Sequence, residues 1–459
     1  MPTKFDAIVI GTGQSGPSLA ERLAQAGQRV AVIERKHFGG TCVNTGCIPT
    51  KALVASAYAA HLARRADDFG VGIGGTVSVD MKRVKGRKDA IVAKSRNGVR
   101  AWMERLPNGT VYYGHARFES PRTVRVNDEL LEADKIIVNT GGRAFVPKMP
   151  GIDDVPYLTN SSMMDVDFVP EHLLVVGGSY VGLEFAQAYR RFGARVTVVE
   201  MAERLIARED PDVSDSVREI LEAEGIEVRL NAKCIAVEKE GNFIALRLDC
   251  GEGAPRASGT HLLLAVGRQP NTDDLGVDKA GLKTDGKGYI VVDDQCRTNV
   301  EGIWATGDVN GRGAFTHTSW NDFEIVAANL LDNDPRRISD RIPCYAMFID
   351  PPLGRVGKTE REVRESGAKA LVAKLPMTSV KRAQLRGETQ GFMKVTVDAA
   401  TKKILGAAIL GDSGDEVVQS FLGVMAAGAP YTVISRGMYV HPTVSEYLPS
   451  LLGELKPLA

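Results

Sequence analysis

No long run of basic residues appears in this chain of 459 residues, and its 57 lysines and arginines are matched by 57 aspartates and glutamates. A net charge of zero without a basic cluster argues against nucleic acid and against an anionic membrane surface as partners. There is no apolar stretch long enough to cross a bilayer. Nor is there the charged-then-apolar pattern of a signal peptide, since Met1-Pro2-Thr3-Lys4-Phe5-Asp6 runs straight into a strand pattern. A cytoplasmic protein is expected. Cysteine is scarce, and six cysteines in a chain of this size cannot build a disulfide scaffold. Cys234, Cys250, Cys296 and Cys344 have no short-range partner spacing and read as buried or strand residues. No low-complexity segment interrupts the chain, so its linkers are short. The length predicts two to four domains.

The remaining two cysteines, Cys42 and Cys47, lie in Gly39-Gly40-Thr41-Cys42-Val43-Asn44-Thr45-Gly46-Cys47-Ile48-Pro49-Thr50-Lys51. This run comes a few residues after a dinucleotide-binding fingerprint. A dithiol/disulfide couple beside a two-electron cofactor implies electron transfer between nucleotide and sulfur.

An internal repeat organises the chain. The buried-strand run Phe5 to Ile10 is followed by Gly11-x-Gly13-x-x-Gly16, a helical pattern to Ala26, and a strand from Arg29 to Ile33 ending at Glu34. The same order returns as Leu173 to Val176, then Gly177-x-Ser179-x-x-Gly182, a helix to Phe192, and a strand from Arg195 to Val199 ending at Glu200. Gly11 to Glu34 and Gly177 to Glu200 span the same 23 positions. One such fingerprint is weak evidence; two, each inside a βαβ pattern with an acid at the same distance, predict two bound dinucleotides. Gly11 and Gly177 make the tight turn. Gly13 and Ser179 are small enough for the backbone to approach a pyrophosphate at the helix N-terminus. Gly16 and Gly182 let helix and strand pack closely, while Glu34 and Glu200 can accept hydrogen bonds from a ribose.

The rest parses around these units. Thr50 to Leu106 reads as helices broken near Gly70 to Gly75, and Val111 to Asn139 as strands ending at Thr140-Gly141-Gly142. Val228 to Leu264 is strand-rich and ends at Ala265-Val266-Gly267-Arg268; Ile303 to Asp308 reads as a strand entering a Gly-Asp turn suited to a polyol or ribose hydroxyl. From about Arg341 the pattern is α+β. Strands are expected around Tyr345 to Phe348, Leu371 to Leu375, Phe392 to Val397 and Ile404 to Leu410, with helices over Glu360 to Ser366 and Glu416 to Ala427.

The chemistry of the cysteine run can be argued from geometry. A disulfide needs Cα atoms within about 7 Å, and five residues of regular helix rise about 7.5 Å. Cys42 must therefore precede the helix of Cys47 or sit in a loosened turn of it. Cys47 and Lys51 are i,i+4 on one helix face. The helix N-terminus and the Lys51 ammonium both favour a thiolate.

Taken together, these motifs resemble the pyridine nucleotide-disulfide oxidoreductases, the family of dihydrolipoamide dehydrogenase, glutathione reductase and mercuric reductase, over essentially the whole length. The motifs are the first fingerprint, Cys-x4-Cys-x3-Lys, Thr140-Gly141, the second fingerprint with Glu184, Ala265-Val266-Gly267-Arg268, Thr306-Gly307-Asp308, and His441-Pro442-Thr443-Val444-Ser445-Glu446. The resemblance implies an α/β fold with two Rossmann-like dinucleotide-binding domains and a C-terminal α+β dimerisation domain. The corresponding division is 1–150 for FAD, 151–272 for NAD(P), 273–338 as a central return to the FAD domain, and 339–459 for dimerisation. FAD would lie on Gly11, Gly13, Gly16, Glu34, Gly40, Thr41, Lys51, His115, Thr140 and Gly141, with Asp308 on its ribityl chain and Ala314, Phe315, Thr316 and His317 lining it. NADH or NADPH would lie on Gly177, Ser179, Gly182, Glu200 and Gly267. Lys51 and Glu184 would pair near the reactive edge of the flavin. Reduced Cys47 would face the flavin while Cys42 exchanges with substrate, and His441, oriented by Glu446, would move the proton of Cys42. The functional unit would be a homodimer with shared active sites. No resident metal is expected.

The acceptor is less defined. The tail Leu451 to Ala459 lacks the cysteine pair of true mercuric reductases, no extra metal-binding module is read, and His441 is kept as in dihydrolipoamide dehydrogenase. Phe315 to Asp322, Pro351-Pro352-Leu353 and Pro430-Tyr431 look more like the mercuric-reductase-like and reactive-chlorine-resistance copper reductase branch. A small disulfide or a thiophilic metal ion is the expected acceptor. Dihydrolipoamide dehydrogenase is the alternative, with glutathione-type or quinone reduction behind it. A redox-inert, flavin-binding interaction protein is the alternative of another class, and the presence of Cys42, Cys47, Lys51 and His441 argues against it. At the second fingerprint Glu200 favours NADH, and Arg204 and Arg208 argue for NADPH.

Overall fold

The computed structural model describes residues 1–250 and 255–458. Thr3–Ile10 is the centre of the first sheet. It pairs in parallel with Val30–Glu34 on one side and Glu129–Val138 on the other, and Gly109–Tyr113 continues beyond Val30–Glu34. Every residue of Val30–Glu34 is buried, as expected for a parallel strand covered on both faces. Ala116–Ser120 and Thr123–Val126 extend the sheet antiparallel. Ile303–Ala305 then returns from far along the chain to pair with Ile136, Ile137 and Val138. That return delivers Thr306-Gly307-Asp308 to the same end of the sheet as the first glycine turn.

A second parallel sheet runs in the order Glu227–Arg229, Arg195–Val199, His172–Val176, His261–Leu264. Beside it Ala232–Glu240, Phe243–Cys250 and Arg256–Gly259 form an antiparallel sheet. Residues 251–254 of the expected strand-rich stretch lie outside the described residues, as does the side chain of Cys250. The C-terminal part is one antiparallel sheet in the order Cys344–Met347, Leu353–Gly357, Ile404–Leu410, Phe392–Asp398, Ala370–Pro376, Lys456–Pro457.

The two glycine turns are copies in atomic detail. Gly11 and Gly177 both have positive φ, 97° and 113°. A Cβ at Gly16 would lie 2.3 Å from the Gly11 carbonyl oxygen, and one at Gly182 would lie 2.2 Å from that of Gly177. Neither position can carry a side chain without parting helix from strand.

Three elements differ from the sequence reading. The expected helix Glu416 to Ala427 is two pieces, Gly414–Val417 and Gln419–Ala426. The unanticipated helix Pro211–Ala223 starts with proline in its first turn and buries Val213, Val217, Ile220 and Leu221. Leu353–Gly357 is a strand inside the C-terminal sheet, hidden in the sequence by the preceding prolines and its two glycines. Of the bystander cysteines, Cys234 and Cys344 lie in strands and are half-buried. Cys296 is fully buried, but in a turn with φ 62°.

Gly16→Ala should yield protein without bound flavin, whereas Gly182→Ala should stay yellow yet fail to be bleached by NADH or NADPH. Flavin absorbance per chain, before and after anaerobic addition of the nucleotide, checks both. Full flavin content in Gly16→Ala would contradict the packing argument.

Candidate active site

One continuous cavity of about 1340 Å³ joins the two glycine turns, and the dithiol lies in its wall. Gly11, Gly13, Glu34, Gly40, Thr41, His115, Thr140, Gly141, Asp308 and Ala314 to His317 line it with Cys42, Cys47, Lys51 and Glu184. Gly177, Ser179, Glu200 and Gly267 line it at the second turn. Gly16 and Gly182 are not in the wall and act through helix packing. His441 and Glu446 are also absent from the wall.

Cys42 sits in the short helix Gly40–Asn44, and Cys47 opens the long helix Cys47–Arg64. Thr45 and Gly46 break the backbone between them, and Gly46 passes so close to Thr41 that a Cβ there would lie 2.9 Å from the Thr41 carbonyl oxygen. This is the loosened connection that the spacing requires. Both cysteines are free thiols. A hydrogen bond from Cys42 pulls the Cys47 thiol down to about 6. Burial opposes this; Thr316 and the Lys51 ammonium assist, and Glu184 resists. The same bond and burial push Cys42 far up. Reduction therefore leaves the charge on Cys47 and the proton on Cys42.

Lys51 Nζ donates to both Glu184 carboxylate oxygens at 2.9 and 2.7 Å. Glu184 is only 3% exposed and also accepts the Phe348 backbone N–H at 2.9 Å. The Phe348 ring lies under the Lys51 ammonium, 4.4 Å from ring centroid to nitrogen.

The acidic ends of the two repeats are held alike. Glu34 Oε2 accepts from the Thr12 backbone at 3.1 Å, and its Oε1 from Lys36 at 2.8 Å. Glu200 Oε2 accepts from Gly178 at 2.6 Å, and its Oε1 from Ala202 at 2.8 Å. Each carboxylate is thus oriented by the residue after the first glycine and by the amide two residues on. Arg204 pairs with Asp215. Arg208 lines the cavity, and no carboxylate pairs with it among the described residues.

Asn139 is a wall residue not singled out in the sequence, and Arg268 enters there only within its motif. Asn139 Oδ1 accepts from Gly16 N at 3.2 Å and its Nδ2 donates to the Thr306 carbonyl at 2.9 Å, joining the first helix to the returning strand. Arg268 donates to the Gly142 carbonyl at 2.5 Å. Its Nε is 3.3 Å from Asp308 Oδ2 but, although buried, has no hydrogen-bond partner among the described residues. Burial pushes the Asp308 carboxyl up, with Arg268 opposing. A buried donor and a carboxylate side by side suit a polyol hydroxyl between them. Together with the bare backbone at Gly11, Gly13 and Gly40, they make the wall fit FAD. Thr140 donates to the Asn271 carbonyl at 3.0 Å and His115 to that of Asp274 at 3.0 Å, tying both to the segment after the second unit.

The family model described as pyridine nucleotide-disulphide oxidoreductase matches residues 5–322, and the dimerisation domain of the same family matches residues 344–451. The chain belongs to this family. It is 37% identical to the probable pyridine nucleotide-disulfide oxidoreductase RclA of Escherichia coli K12, over 99% of this chain and 100% of that one. It is 33% identical to the mercuric reductase of Streptomyces lividans, over 97% of this chain and 95% of that protein. It is also 33% identical to a dihydrolipoyl dehydrogenase of Thermus scotoductus, over 97% and 96%. A solved structure of E. coli RclA, the HOCl-induced flavoprotein disulfide reductase in a Cu(II) complex, matches with a TM-score of 0.90 at 36% identity, covering 98% of this chain and 99% of that one. The protein is thus an FAD-dependent oxidoreductase that uses a pyridine nucleotide. Among the described residues no helix is long and apolar enough to cross a membrane.

Because Cys47 ionises near 6, the long-wavelength thiolate-to-flavin band of the two-electron-reduced enzyme should be strong at neutral pH and fade below about pH 6. Cys42→Ser should show this band without reduction, and Cys47→Ser should lack it. Equal spectra for the two variants would contradict the asymmetry.

Proposed function

We propose that this protein passes electrons from NAD(P)H to the Cys42–Cys47 disulfide and on to a thiophilic metal ion or a small disulfide. The observation that carries the reading is the single cavity in which both nucleotide turns and the dithiol meet. Bound FAD supplies the relay of an electron pair from nicotinamide to sulfur. Glu34, Asp308 and Arg268 hold its ribose and ribityl parts, and Lys51 paired with Glu184 sets the charge beside it. Reduction of the S–S bond takes an electron pair and one proton, leaving a Cys42 thiol and a Cys47 thiolate. Cys42, set toward substrate by the family resemblance, then attacks a disulfide to form a mixed disulfide with release of one thiol, and Cys47 displaces the second thiol as the Cys42–Cys47 bond re-forms. A soft metal ion would instead bind the reduced pair.

The relatives named for RclA and mercuric reductase support a metal acceptor. Those named dihydrolipoyl dehydrogenase keep lipoamide as the second reading, favoured here by the His441 and Glu446 pair. His441 Nδ1 lies 2.9 Å from Glu446 Oε2, with the imidazole side chain 73% exposed and the glutamate 16% exposed. That geometry orients an outward-facing ring, as the third member of a catalytic triad does. Since the ring lies outside the cavity of its own chain, we assign it to the site of a second copy, docked through the dimerisation domain. It would take the proton of the partner's attacking thiol and return it. A cytoplasmic location agrees with the need for reduced pyridine nucleotide.

Steady-state assays with Cu²⁺, Hg²⁺, lipoamide and oxidised glutathione separate the acceptors. The reading expects metal or small-disulfide reduction to exceed lipoamide turnover, and a dominant lipoamide rate would replace it. NADH should serve at least as well as NADPH, since the pinned Glu200 carboxylate bonds a ribose 2′-hydroxyl and repels a 2′-phosphate. A strong NADPH preference in kcat/KM would show that Arg208 prevails.

Mixing inactive Cys42→Ser with inactive His441→Ala subunits should restore part of the activity, because the heterodimer has one site with both groups intact. No recovery in verified heterodimers would place the histidine in its own chain's chemistry or outside it.

A further inference from the structure

Two side chains from distant parts of the chain hold the turn between the redox cysteines. Asn44 closes the short helix Gly40–Asn44 that carries Cys42. Its Nδ2 donates to the Phe38 carbonyl at 2.9 Å and to the Gly40 carbonyl at 2.8 Å, tying the end of that helix to its start. Its Oδ1 accepts from Arg96 Nε at 2.7 Å. The next residue, Thr45, offers its carbonyl to Asn160 Nδ2 at 2.9 Å. Both outside residues stand on firm supports. Arg96 belongs to the helix Met81–Glu104, which Trp102 fastens to the helix of the first glycine turn by donating to Glu21 Oε1 at 2.8 Å. Asn160 follows Leu158, whose N–H donates to the Leu262 carbonyl at 2.7 Å and whose own carbonyl accepts from Leu264 at 2.9 Å, in the second parallel sheet. Consecutive residues of the turn are thus held from the two nucleotide-binding units. Neither Arg96 nor Asn160 lies in the cysteine run or in either glycine fingerprint.

We propose that Arg96 and Asn160 are positioning residues that favour the Cys42–Cys47 disulfide over the dithiol by holding the turn in the shape that the S–S bond requires. In the oxidised protein the S–S bond itself restricts residues 42–47. In the reduced protein that covalent restraint is gone, and only hydrogen bonds hold the two sulfurs in reach of each other. Without Arg96 or Asn160 the reduced turn gains freedom that the oxidised turn cannot gain. The equilibrium then moves toward the dithiol. The two contacts therefore act on the potential of the couple, not merely on the stability of the fold. This deepens the reading of Cys42 and Cys47 as the electron-carrying pair and rests on it.

The test equilibrates FAD-loaded protein with graded ratios of reduced and oxidised dithiothreitol in the absence of oxygen. Acid quenching, alkylation and peptide mass then give the oxidised fraction of Cys42 and Cys47. Dithiothreitol gives up an electron pair and two protons; the cysteines take the pair and one proton, and the other proton goes to solvent. Arg96→Met keeps the length of the side chain without its donor. It should lower the equilibrium constant for disulfide formation about tenfold, the worth of a hydrogen bond to a charged group, which makes the potential about 30 mV less negative. Asn160→Ala should move it the same way by about threefold to tenfold, as for a neutral hydrogen bond. Arg96→Lys, which retains a charged donor, should lower it by less than about threefold. An unchanged constant in Arg96→Met or in Asn160→Ala, a change in the other direction, or a lysine variant that matches methionine overturns the proposal. A lowered Tm with an unchanged constant is one such outcome and marks the contacts as structural only. A parent protein that forms no Cys42–Cys47 disulfide at any ratio removes the redox reading together with the proposal. A normal couple in the parent with unmoved variants removes the roles of Arg96 and Asn160 alone.

Discussion

The ion pair between Lys51 and Glu184 is the contact on which the arrangement depends. Lys51 belongs to the helix of Cys47, Glu184 to the helix of the second glycine turn, and the Phe348 N–H and ring that complete the pair come from the C-terminal sheet region. One buried carboxylate thus fastens three parts of the chain around the redox thiol. A carboxylate so buried is tolerable only with all its bonds made, and removing one partner of a buried pair costs about 3–5 kcal/mol. Lys51 keeps 33% of its side chain exposed, which puts the cost here toward or below the low end of that range. The pair also sets the local potential. The Cys42 hydrogen bond does most to favour an anionic Cys47, against burial; the Lys51 ammonium adds to it and the Glu184 carboxylate moderates it.

Duplication explains much of the rest. The same turn and the same two-amide grip on a glutamate occur twice, so one solution to dinucleotide binding serves both halves. The halves differ in the segment that each second strand leads into. After Glu34 the chain enters the glycine turn and dithiol. After Glu200 it enters a segment in which Arg204 pairs with Asp215 and Arg208 lines the cavity.

The features readable in the sequence were those encoded over short distances. The repeat, the acids at matching spacing and the i,i+4 relation of Cys47 and Lys51 all arise from local geometry, as does the need for a break between Cys42 and Cys47. The unread features are long-range. Thr316 meets Cys47 across 269 positions, Asn139 meets Gly16 across 123, and Arg268 meets Gly142 across 126. No periodicity announces such contacts. Phe348 reads simply as the end of a strand, and its service to Lys51 and Glu184 exists only once three sheets are assembled. The helix Pro211–Ala223 was there to be read, with its proline start and apolar Val213, Val217, Ile220 and Leu221 at helical spacing. The strand Leu353–Gly357 was masked because Pro and Gly ordinarily mark turns.

The central claim is that the Cys42–Cys47 pair stores electrons in communication with the flavin, and an anaerobic reductive titration tests it most directly. Oxidised protein titrated with dithionite and monitored by flavin absorbance should take up two electron pairs per chain, with the thiolate-to-flavin band growing during the first and the flavin bleaching during the second. Bleaching complete after a single electron pair, with no band at any stage, would mean that the cysteines stand apart from the electron path and would contradict the account.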